Sequence, residues 1–189
     1  MDGAQPTSLS IDIETLRSVL KSQYHAALAM LRETLDRCPE EIWSNAEHRN
    51  SFWQIAYHTL FFTHLYIQPN EAAFRPWEHH QAAQYEDGIP DEPDPKSTLP
   101  LIPKPYTRAE VLAYWKICDE MVDDAVEALD LRDPSSGFSW YKCSKFEHQL
   151  ISIRHIQHHT AQLADRLRSA ADVGIKWVGS HAQSAASLE

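Results

Sequence analysis

Glycine is scarce, 5 in 189 residues, and cysteine is scarcer, with 3. The few glycines form no Gly-rich phosphate loop and no GxSxG nucleophile elbow. Cys38, Cys118 and Cys143 lie far apart, form no CxxC pair and are odd in number. That argues against a disulfide framework and a zinc finger, and for buried thiols in a reducing compartment. HExxH is absent, as are the Glu-x-x-His pairs of di-iron bundles. No apolar run is long enough to span a bilayer: Ile55 to Ile67 is interrupted by His58, Thr59, Thr63 and His64. Met1 to Ser10 has no basic region followed by an apolar stretch, so no signal peptide is expected. Lys and Arg number 17 against 27 Asp and Glu, a formal net charge of −10. Such a chain repels nucleic acid phosphates and anionic membranes. We therefore expect a soluble cytoplasmic protein that binds neither.

The remaining composition is globular, with 43% hydrophobic and 23% charged residues. A chain of this length buries roughly 70% of its unfolded surface, enough for a core without staples. More unusual are 11 histidines and 6 tryptophans.

Hydrophobic periodicity predicts four long helices. The first starts near Ser10 or Asp12, carries Ile13, Leu16, Leu20, Tyr24, Ala27, Leu31 and Leu35 on one stripe, and ends before Pro39. The second starts near Asn50 or Ser51, stops before Pro69 and is apolar nearly all round, so it is buried on several sides. The third opens on Thr107-Arg-Ala-Glu110, a capping box, with Val111, Trp115, Cys118, Val122, Ala125 and Leu129 on its buried stripe. Its acids, including Asp119 and Asp123, read as a solvated face. The fourth spans Phe146 to Arg168. Four such helices without strand signals make an all-α four-helix bundle. We take residues 1–179 as one domain and 180–189 as a flexible tail, with Trp177 and Val178 the part that docks.

Between the second and third helices, residues 69–106 form a Pro-rich insertion that carries eight of the 11 prolines. Its composition excludes a long helix. Aromatic residues Phe74, Trp77 and Tyr85 lead us to expect that Asn70 to Tyr85 packs down, and that Glu86 to Leu101 is mobile.

The histidines carry the chemistry. His155 and His159 stand one turn apart on the fourth helix, about 40° apart in direction and about 6 Å along the axis. Two imidazoles so placed can grip one metal ion, and a third from another helix completes a facial set with a position left for water. The second helix offers His58 and His64. They point about 120° apart, so both cannot face one site. His158 points away from His159 and reads as surface or supporting. His79, His80, His148 and His181 read as solvated; His25 and His48 give no pattern.

The stretches FWQIAYHTLFFTHLYI and IRHIQHHTAQL resemble the DinB/YfiT-like superfamily of metal-dependent helical bundles. So do Pro39-Glu40-Glu41-Ile42-Trp43, YTRAEVLAYW from Tyr106, and Lys176-Trp177-Val178-Gly179. The resemblance covers most of Ile13 to Gly179, and only its histidine pattern is specific. That pattern falls on His58, His155 and His159, followed by Gln162. The usual Gly before the Gln is Ala161 here. The resemblance implies an up-down-down-up bundle and a divalent ion, zinc or nickel, held by His58, His155 and His159. It implies a metal-dependent thiol transferase or hydrolase, with a low-molecular-weight thiol as a substrate to be tested and a homodimer left open. A non-catalytic metal-holding or stress-linked bundle is the alternative, and a fourth protein ligand would favour it. Gln162 could orient a ligand and Arg166 could hold a substrate carboxylate.

Overall fold

The computed structural model describes residues 12–45, 47–84 and 94–181. Among them the regular structure is all helical: α1 (Ile13–Asp36), α2 (Glu40–Trp43), α3 (Phe52–Tyr66), a 3₁₀ turn (Glu71–Ala73), α4 (Arg108–Glu120), α5 (Val122–Ala128) and α6 (Lys145–Ala171). None of these helices is long and apolar enough to cross a membrane.

The helix starts follow local chemistry. Asp12 caps α1 by accepting from Thr15 N at 2.8 Å, and Thr107 with Glu110 closes the expected box on α4. Ser51 and Gln54 form a second box, on α3, so two free N–H ends are met by side chains there. The third expected helix is interrupted at Met121, where ψ relaxes to −15°, a 3₁₀-like value. Its stripe is otherwise as read, except that Tyr114 is wholly buried while Trp115 is half-buried.

Helix α6 packs against α3 and α1, and α4 packs against the same two from the other side. Tyr24 on α1 donates to Gln149 on α6 at 2.8 Å, and Gln149 donates to the Tyr66 carbonyl on α3. Further along, Gln157 meets Met30, so α1 and α6 run in the same sense. Arg166 meets Asn50 while Gln149 meets Tyr66, so α3 and α6 run oppositely. His25 meets Asp119 while Lys21 meets Glu127, so α1 opposes α4 and α5. The core is continuous, with Trp43, Tyr24, Tyr57, Tyr114 and Phe52 among its largest fully buried side chains.

The first half of the proline-rich stretch packs down through Trp77, which stacks on Tyr114 with 4.7 Å between ring centroids. Gln84 binds the carbonyls of Pro100 and Leu99. Of the segment expected to be mobile, residues 86–93 lie outside the described residues; Leu99 and Leu101 are exposed. Three sequence readings need correction. Val178 docks on Ala26 and Met30, but Trp177 is 76% exposed, because the chain at this point offers one side chain to the protein and the next to solvent. Cys143 is half-buried, unlike Cys38 and Cys118. His148 is fully buried. The expected tail lies outside the described residues from 182 onward.

Candidate metal centre

Helix α6 presents His155 and His159 one above the other on its α3 side. Their Nε2 atoms are 3.1 Å apart. His58, midway along α3, places its Nε2 3.1 Å from His155 Nε2. One nitrogen from each of the three rings lies within 4.8 Å of the other two. His64 is not in this group. It lies on another side of α3, with Nδ1 3.1 Å from Tyr114 Oη and its ring against Phe74. His158 is exposed and reaches Gln162 at 3.2 Å.

The surroundings keep the rings of His155 and His159 neutral. Phe62 packs on both His58 and His155, and Tyr66 lies edge-on to His155. Burial, then the neighbouring imidazoles, pushes the pKa of His155 down to about 3. Burial likewise lowers that of His159 to about 4, followed by the effect of His58. A neutral imidazole is the form that ligates.

The hydrogen-bonding pattern favours a shared cation. His159 Nδ1 donates to Gln162 Oε1 at 2.8 Å, because an amide oxygen only accepts. In the neutral ring this leaves a lone pair on His159 Nε2, facing the cluster. His155 Nε2 stands against two other ring nitrogens and can carry either a proton or a lone pair, not both. Without a cation, one N–H must serve the whole group. Ligands on a tetrahedral zinc, with N–metal bonds near 2.0–2.1 Å, stand about 3.3 Å apart, and the two 3.1 Å separations are close to that. Three imidazoles also suit zinc or nickel by ligand type. The residues therefore fit a divalent ion. One feature is costly: His155 Nδ1 is buried with no partner, whereas a ligating histidine usually has one.

His58 and His159 are reached from an open cleft of about 450 Å³. Gln54, Gln162 and Arg166 contribute to its walls, together with His48, Arg49 and Asn50 from the segment entering α3. Arg166 donates to the Asn50 carbonyl at 2.7 Å. Sequence reasoning singled out Gln162 and Arg166 but missed Gln54 and the segment before it. The signal was there: Ser51-Phe-Trp-Gln54 is a capping box, which fixes where Gln54 sits on the first turn.

Residues 23–163 match the family model of the DinB superfamily, and the chain belongs to that superfamily. No curated protein and no solved structure matches the chain.

Proposed function

We propose that His58, His155 and His159 hold one divalent metal ion, zinc or nickel, and that this DinB superfamily member is a metal-dependent enzyme acting on small thiols or hydrolysing amide-type substrates. The observation that carries the reading is the convergence of three imidazole nitrogens at a cleft. When bound at three neutral ligands, such an ion keeps its full positive charge and acidifies a water or thiol. The protein's part is to hold His155 and His159 neutral, to exclude bulk water from one side with Phe62 and Tyr66, and to orient His159 through Gln162. The alternative, a closed structural metal, is disfavoured because His64 is turned to Tyr114 and no described carboxylate joins the group.

We read the fold as the family's four-helix bundle in up-down-down-up order, α1, α3, α4 with α5, and α6, with 69–106 inserted, in one domain spanning 1–179. The helix senses support it. With a charge of −10, we expect a cytoplasmic protein that binds no nucleic acid or membrane.

Metal analysis of protein purified without a tag is expected to give close to one zinc or nickel per chain, whether it elutes as monomer or homodimer. Rates with a panel of small thiols plus a general electrophile, and with a panel of amides, should exceed those of His159→Ala. Metal-free protein from metal-replete medium at neutral pH would refute the metal reading; metal-loaded protein no faster than the variant on every substrate would refute the enzyme.

A further inference from the structure

Gln54 holds an unmet hydrogen-bonding capacity at the cleft. The residue is only 8% exposed. Its Oε1 accepts from Ser51 N at 2.8 Å and from Ser51 Oγ at 3.0 Å. Because a backbone N–H can only donate, these contacts fix which end of the amide is oxygen. Nε2 is therefore the other end, buried and with no partner. An unmet buried donor is destabilising, so a site that keeps one invites an acceptor.

Arg166 lines the same cleft. Its side chain is half-buried and uses NH1 on the Asn50 carbonyl. It forms no ion pair with any carboxylate among the described residues. Among the described residues, Asp165 is the one acid that lines the cleft with Arg166. Gln54 and Arg166 line the same cleft, and a guanidinium fork with a neutral amide donor on the same wall can meet the two oxygens of a carboxylate.

We propose that the cleft takes substrates bearing a carboxylate, and that Gln54 Nε2 and Arg166 are the groups that bind it beside His58 and His159. This rests on the reading of the cleft as a substrate site, and it does not require the metal to be bound. It also assigns specificity. A site built around a buried donor rejects a ligand that cannot accept from it more strongly than an apolar pocket rejects a change of shape.

The test uses the full chain, metal-loaded and metal-free, with four probes: 3-mercaptopropionate, its neutral amide 3-mercaptopropionamide, propionate and inorganic phosphate. Binding is followed by calorimetry and by the side-chain amide resonances of Gln54. Two variants spare the local structure. Gln54→Glu still accepts from Ser51, so the cap on α3 survives while the donor is lost. Arg166→Gln keeps a donor for the Asn50 carbonyl and loses the charge.

In the unmodified protein, the acid is expected to bind at least ~10-fold more tightly than its amide, the effect of a hydrogen bond to a charged group. Propionate should shift the Gln54 resonances even without metal. In each variant the preference for the acid should collapse towards one. Equal affinity for acid and amide in the unmodified protein, or a preference that survives both substitutions, overturns the proposal. So does phosphate binding more tightly than propionate. Thiols that bind only the metal-loaded protein, without preference for the acid, refute the carboxylate site and leave the metal standing. Gln54-dependent propionate binding to a protein that takes up no metal does the reverse.

Discussion

His155 and His148 sit two turns apart on α6, and their environments share more than their roles do. His148 is fully buried and His155 half-buried, and burial is the leading reason each has a lowered pKa, to about 3 for His155 and about 4 for His148. His148 is enclosed by Phe138, Tyr66 and Tyr141, with ring centroids 4.7 to 5.1 Å away. Neither of its ring nitrogens has a partner. His155 instead meets two imidazole nitrogens beside an open cleft. A perturbed pKa therefore does not single out the candidate site. Convergent lone pairs and access from solvent do.

The largest effect that would break this comparison concerns metal affinity. His155→Ala removes one of three donors and should weaken zinc or nickel binding by well over ~100-fold, beyond the loss typical of a supporting residue. His58→Ala should do the same. His148→Ala and His64→Ala should leave the affinity within a few-fold, since their rings face aromatic walls and Tyr114. Calorimetric or competition titration measures all four. Loss of affinity in His148→Ala equal to that in His155→Ala would show that burial, not convergence, is what matters.

The next effect is on acid stability. His148 is neutral when folded and charges readily once unfolded. Its folded pKa lies below the ordinary 6.5, so its contribution is present above 6.5 and lost as pH falls through about 4. The drop from 6.5 to about 4 corresponds to on the order of 3 kcal/mol. His148→Phe, which keeps a ring among rings and removes the nitrogens, should lower the midpoint of acid unfolding and keep the metal stoichiometry. Urea midpoints measured from pH 7 to pH 4 check this; a variant that loses stability in parallel with the parent would count against it.

The same pair explains what was legible in the sequence. His155 and His159 announce themselves because ligand pairs on a helix have a fixed spacing. The ends of α1 and α4 are likewise written locally, in Asp12 and in Thr107 with Glu110. His148 reads as solvated in the sequence because it stands at the end of a helix, yet it is fully buried. The rings that bury it come from Tyr66 on another helix and from Phe138 and Tyr141 in the preceding loop, which no spacing rule connects to it. His80 was missed for the same reason: its contact, Tyr57 Oη at 2.6 Å, crosses from the proline-rich stretch to α3. Trp177 failed differently. Its size suggested docking, yet only its neighbour Val178 reaches the protein. Local capping and helix periodicity survive translation into structure, whereas packing between distant segments has no short-range signature.

The smallest effect comes from a third histidine, and it has the opposite sign. His25 on α1 places Nδ1 2.8 Å from Asp119 and Nε2 3.4 Å from Asp123, the two acids the sequence reading left as solvated. The bond to Asp119 is the main reason its pKa is raised, against the opposing cost of burial. Lys21, Arg17 and Glu127 line the same shallow cleft, and the His181 ring lies 4.8 Å away. A raised folded pKa means that this contribution is complete below 6.5 and fades as pH rises through the folded value. His25→Asn should therefore cost most at pH 6 and progressively less above it. The cost should stay within about 1 kcal/mol, because Asp123 is exposed and the pair is partly screened. The contribution of His148 fades in the acid direction and that of His25 in the basic direction, so the two act on opposite limbs of the stability profile. Chemical denaturation of the parent and His25→Asn at pH 6, 7, 8 and 9, with the His25 ring followed by NMR, tests both points. A His25 titration below 6.5, or a variant whose deficit grows with pH, would mean that the two acids do not hold the proton and that burial governs His25 as it governs His148.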